Sequence, residues 1–147
     1  MGNTKEETSW IEKAGEDLFN FAVDRDDLKM IMALLPEEAD IKRETVEYEL
    51  QILKFIITGW SISYFLENSP HKERLAQLYW ETVFQSCLSI SEATNLMIGQ
   101  KVDYFQILKE RLEMYVEAVK ERSDAPEPAS VVGPEFARTC GNMDDVF

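Results

Sequence analysis

Histidine, cysteine and glycine are scarce in this sequence, basic runs are missing, and each shortage excludes a class of chemistry. The only histidine is His71. Di-iron and di-manganese bundles need paired Glu-x-x-His motifs, and Ser-His-Asp or Cys-His devices need a histidine fixed beside a nucleophile; neither pattern occurs. The six glycines are scattered, so no phosphate-cradling loop can be assembled from them. Cys87 and Cys140 lack the spacing of a zinc knuckle or a disulfide framework, which points to a reducing, cytoplasmic setting. The residues call for no metal and no cofactor.

Positive charge is also short. Fifteen Lys and Arg face 28 Asp and Glu, a formal charge of −13. Such a field repels phosphate backbones and anionic lipid, so nucleic acid is not an expected partner. Long apolar runs are absent as well. The longest uncharged stretch, Phe55 to Leu66, has 12 residues, too few to cross ~30 Å of hydrocarbon. Residues 1–20 lack the apolar stretch of a secretory signal, and Glu6 stands where a myristoylation site asks for Ser or Thr.

What is present is material for one core. Hydrophobic residues make up 45% and aromatics 11% of 147 residues, enough for a folded domain and too apolar for disorder. Thr4 with Glu7 has capping-box spacing and opens a helix to Val23; Asp24 caps a short helix over 25–34; Pro36 fits the first turn of a third. In that third helix, over 36–67, Val46, Leu50, Leu53, Ile57, Trp60 and Tyr64 follow a 4-3 spacing on one stripe. Because its C-terminal half is apolar on other faces too, that half is expected to be surrounded by protein.

Ser69 and Pro70 restart the chain into a fourth helix over 70–98. Leu75, Tyr79, Thr82, Ser86, Ser89, Ala93 and Leu96 form one seam, beside a second through Ala76, Val83, Cys87, Ile90, Thr94 and Met97. Small residues on the first seam admit a closely packed helix. Gly99 suits a left-handed helix end, and Asp103 with Gln106 opens a fifth helix whose stripe is Phe105, Leu108, Leu112, Tyr115 and Val119. Residues 51–100 hold seven charged side chains, against 20 before and 16 after. Helices three and four are therefore expected to form an inner hairpin.

The fold expected is all-α: an elongated antiparallel helical bundle of about five helices forming four rods. Residues 1–122 would make the bundle domain, and 123–147, with Pro126, Pro128, Gly133, Pro134 and Gly141, an irregular C-terminal tail. Within the tail, Val131, Val132 and Phe136 have the character of docking residues, and 133–138 can make one helical turn.

Two local features carry functional expectations. Trp60, Ser63, Tyr64, Tyr79, Trp80 and Ser86 gather either as close helix packing or as the lining of a small apolar pocket. Asp144, Asp145, Val146 and Phe147 form an acidic end with a terminal aromatic, the kind of segment a basic-rimmed groove captures. Glu47, Glu81 and Glu92 are the carboxylates from which a metal site without histidine would have to be built, but Gln77, Gln85 and Asn95 share the face of the last two and mark it as a hydrated strip. His71 reads as an exposed residue at a helix start. The expectation is a dimeric helical interaction or adaptor module that binds protein, itself and another chain, and does no catalysis. The alternative is a small-molecule sensor or carrier with its pocket between helices 36–67 and 70–98.

Overall fold

The computed structural model describes residues 4–35, 42–122, 124 and 129–140. They form six helices: α1 (Thr4–Val23), α2 (Asp26–Ala33), α3 (Arg43–Phe65), α4 (Lys72–Ile98), α5 (Tyr104–Glu121) and α6 (Ala129–Thr139). No strand occurs among the described residues, and the packing is that of an all-α, bundle-like protein. Two compact units are present, one made of Met1–Val23 with Lys54–Ile107, the other of Asp24–Leu53 with Leu108–Phe147.

Local chemistry sets the helix ends. The Asp24 carboxylate accepts the Asp26 amide at 2.9 Å, and the Asp103 carboxylate accepts that of Gln106 at 3.0 Å, each satisfying an amide left over at a helix start. Gly99 ends α4 with φ at 68°, its N–H donating to the Asn95 carbonyl at 2.9 Å. Ser69 accepts the His71 amide at 3.1 Å within the turn, but α4 begins at Lys72 with His71 at its cap position and no side-chain cap, so the expected start at Ser69 and Pro70 is displaced. The expected proline start of the third helix falls in 36–41, outside the described residues.

In the first unit, α4 folds back on α3. Tyr79 is fully buried and donates its phenol hydrogen to the Phe55 carbonyl at 2.6 Å. Trp80 lies against Gly59 so closely that a β-carbon there would sit 2.8 Å from the ring carbon Cε2. The only residue type that fits at 59 is the one present. Helix α1 packs along α4 in the same direction: the Trp10 ring meets His71 edge-on at 5.8 Å, and Gly15 meets Leu75 and Leu78 five residues later. Phe19 stacks on Phe55 at 6.4 Å, and Lys54 lies 4.6 Å over the Phe21 ring. Ile11, Ala22, Ile56, Ile62, Leu75, Val83 and Cys87 complete the buried set.

The second unit buries Leu28 of α2, Val46 and Ile52 of α3, Leu108 and Tyr115 of α5, and Val131, Val132, Phe136 and Ala137 of α6. Lys109, Glu110, Glu113, Glu117 and Lys120 face solvent on α5, as its stripe requires. Here the expected irregular tail is corrected: residues 129–139 are a helix of three turns, with Pro134 inside it. Proline removes one amide donor, but four buried apolar side chains on one face outweigh that loss.

A second correction concerns the inner hairpin. The C-terminal half of α3 is not enclosed, since Ile57, Tyr64 and Phe65 are 46%, 74% and 77% exposed. Nor is the distal half of α4, where Ile90, Leu96 and Met97 are open to solvent. For α4 the reason is length. α1 is aligned with α4 at an offset of roughly 60 positions, and both rise 1.5 Å per residue, so α1 ends about level with Phe84 while α4 continues to Ile98.

Replacing Gly59 by Ala should therefore force the Trp80 ring away and cost about 1–3 kcal/mol of stability, the usual range for overpacking. Equilibrium denaturation measures it; an unchanged midpoint would show that the α3–α4 contact is looser than described.

Candidate interaction surface

Of the six residues expected to cluster, the fold brings Tyr79 and Trp80 together, their rings edge-to-face at 5.1 Å. Trp60 is half-buried and Ser86 likewise, while Ser63 is exposed and Tyr64 turns outward, edge-on to Phe65 at 5.1 Å. At Gly59 the space is taken by Trp80, so this part of the α3–α4 interface is close packing and not a hollow. Burial pushes the Tyr79 phenol well above its ordinary range, which keeps it protonated and donating to Phe55. Asp144, Asp145, Val146 and Phe147 lie outside the described residues.

His71 departs from the expected exposed histidine, because the Trp10 ring covers one side of it. Glu81 accepts a hydrogen bond from Gln77 at 3.0 Å on an exposed face of α4, in keeping with a hydrated strip. Glu47 pairs instead with Arg25 in the second unit. No group of three or more His, Cys, Asp or Glu placed to hold a metal ion occurs among the described residues. Both cysteines are buried free thiols. Desolvation raises the Cys87 thiol, helped by Asp103, and raises that of Cys140 to about 11, helped by Glu49. Both shifts disfavour the thiolate that a nucleophile requires.

The surface that stands out is on α4 from the level of the end of α1 onward. Thr82, Ser86, Ser89, Ile90, Ala93 and Met97 share one face, flanked by Leu96, and no charged residue lies among them; from Thr82 to Ile98 the only charge is Glu92, off to the side. Leu96 is 86% exposed and Met97 82%. A short polar frame holds this end of the helix in place. The Ser91 hydroxyl accepts the Tyr104 amide at 3.2 Å, and Phe84 meets the Phe105 ring edge-on at 4.7 Å, which fixes α5's start on the other side of α4. An open groove of about 310 Å³, lined by Leu88, Ser91, Asn95, Val102 and Asp103 among others, follows that junction.

The second unit carries two charged features. Exposed carboxylates of α5, Glu110, Glu113, Glu117 and Glu121, line a shallow acidic groove with Glu135 and Arg138 of α6. Beneath the surface, Arg111 grips Glu49 with two nitrogens, Nε to Oε2 at 3.0 Å and Nη2 to Oε1 at 2.9 Å. The hydrogen bond to Glu49, more than the attraction of its charge, pushes the Arg111 guanidinium up from its ordinary value. This pair escaped the sequence reading, although a signal existed. Glu49 falls three residues from buried Val46 and Ile52, and Arg111 three from Leu108 and four from Tyr115, so each sits on an apolar stripe and requires a partner.

No protein-family model, curated protein or solved structure matches the chain.

Because the Glu49 side chain is only 4% exposed, deleting its partner strands a buried carboxylate. Arg111→Leu should lower stability by about 3 kcal/mol, and Glu49→Leu combined with Arg111→Leu should recover most of it. Thermal and urea unfolding of the three proteins decide this; an unaffected single variant would mean the pair contributes nothing.

Proposed function

We propose that this chain is a cytoplasmic, non-catalytic helical interaction module that works as a reversible homodimer. The observation that carries the reading is the solvent-exposed, uncharged face of α4 from Thr82 to Met97, in a chain with 28 acidic and 15 basic residues. Single exposed apolar residues are ordinary on soluble proteins, whereas a contiguous patch marks an interaction site. Here Ile90, Leu96 and Met97 stand out together at one end of one helix. Free buried thiols support the reducing compartment, and no described helix is long and apolar enough to cross a membrane. The acidic groove on α5 and α6 supplies a second, charged surface suited to a basic protein segment once the dimer has formed.

The face is narrow. Sixteen residues of helix extend ~24 Å, a strip that falls among weak and transient interfaces rather than obligate ones. Light scattering or sedimentation across a wide concentration range should therefore show a mass rising from 17.0 kDa toward twice that value. A mass that stays at the monomer value at every concentration refutes the dimer.

A further inference from the structure

We infer that α6 is a detachable strap, which leaves its bed on α3 and α5 as one piece while the rest of the second unit stays folded, and so uncovers the Cys140 thiol and the Glu49–Arg111 pair. The bed is defined by the end of the helix: the Cys140 thiol lies near Glu49 of α3 and Arg111 of α5, and Thr139 touches Met114 of α5. Docking is the resting state, because Val131, Val132, Phe136, Ala137 and Cys140 are all buried. Three features set against that apolar face narrow its margin.

The first is the middle of the helix. Gly133 and Pro134, the two residue types least able to hold a helix, stand at its centre. Neither is demanded by its surroundings. A β-carbon added at Gly133 would meet nothing within 4 Å, the residue does not have a positive φ, and Pro134 is exposed. Val131 and Val132 add β-branched side chains, which lose rotamer freedom in a helix. Lifted from its bed, α6 therefore unwinds.

The second is where its polar bonds go. Arg138 pairs with Glu135 at 2.9 Å, the Thr139 hydroxyl donates to the Glu135 carbonyl at 2.8 Å, and the Cys140 amide donates to the Phe136 carbonyl at 3.1 Å. These tie α6 to itself. Across the interface Thr139 meets the Met114 sulfur at 3.6 Å, a weak acceptor. The third is Tyr115. Its side chain is fully buried, and its hydroxyl, close to Thr139 and Cys140, has no partner in hydrogen-bonding geometry. Water reaches that hydroxyl once α6 lifts, so the penalty falls on the docked state alone. The Glu49 carboxylate, 4% exposed, is rehydrated by the same movement. Openings of this kind, well below the cost of global unfolding, are general where a helix is held by few contacts.

Cys140 is a reporter already in place. The full chain is treated with excess iodoacetamide at fixed pH and at several urea concentrations below the unfolding transition, and peptide mapping separates Cys140 from Cys87. Cys140 should react at least tenfold faster than the global unfolding equilibrium at the same urea concentration allows. Its rate should also rise less steeply with urea than global unfolding does, because that slope follows the surface exposed. Amide exchange on α5 should stay slow while residues 131–137 exchange with the same opening as Cys140. Gly133→Ala should slow the labelling about fivefold, the factor by which alanine favours a helix over glycine. Tyr115→Phe, which removes the stranded hydroxyl, should slow it about tenfold. Labelling no faster than global unfolding allows, with the same urea slope, overturns the strap and makes α6 part of one cooperative unit. Fast labelling that Gly133→Ala leaves unchanged overturns it too, since fraying of the last turn alone ignores a change seven residues away. A Tyr115→Phe protein that reacts as fast as the parent overturns the assignment of the phenol as a load on the docked state.

Discussion

The contact between Trp80 and Gly59 is the constraint on which the first unit is built. An indole ring occupying the space of a missing side chain brings α4 onto α3 at one register, and the Tyr79 phenol then reaches the Phe55 carbonyl. A hydrogen bond made in a dry interface is strong, and costly to leave unmade. The carbonyl belongs to the same helix turn as Gly59, so the apolar contact and the polar one reinforce each other. Phe19 completes the arrangement by stacking on Phe55 from α1. Once those rings are set, the alignment of α1 along α4 is set too, through His71, Leu75 and Leu78.

That alignment has a consequence for function. α1 is 20 residues long and α4 is 27, and because α1 starts before α4 does and ends about level with Phe84, the uncovered length lies entirely at the distal end of α4. The uncovered part is the part of α4 that carries almost no charge. In the second unit the balance is different: charged residues are abundant, and the Glu49–Arg111 ion pair is held below the surface among buried neighbours on α3, α5 and α6.

Much of the fold was legible because helix signals are local. Val23, Asp24, Gly99, Asp103 and the stripe of α5 announced themselves through capping chemistry and 3.6-residue periodicity, and the structure places helix boundaries within a few residues of them. What periodicity does not encode is which apolar stripe finds a partner within the same chain. Leu53, Ile57, Trp60 and Tyr64 on α3, and Thr82, Ser86, Ala93 and Leu96 on α4, have the spacing of buried seams, yet the second set and the end of the first face water. Coverage depends on the relative lengths and offsets of packed helices, a property of the tertiary contact at Gly59 and Trp80. Helix α6 was legible only in part: Val131, Val132 and Phe136 read as docking residues and 133–138 as one helical turn, but Gly133 and Pro134 are strong local breakers, and the full helix rests on tertiary burial of Val131, Val132, Phe136 and Ala137. Of the candidate cluster, Tyr79 is fully buried and Trp80 packs on Gly59, while Tyr64 is exposed beside Phe65.

Amide hydrogen exchange along α4, measured at low and at high protein concentration, addresses the central claim most directly, because one helix carries both the locked half and the bare half. Residues around Leu75 to Val83 should be well protected at either concentration, and those from about Ser89 to Met97 should exchange quickly when dilute and slow down when concentrated. Uniform protection along the whole helix that ignores concentration would contradict the account.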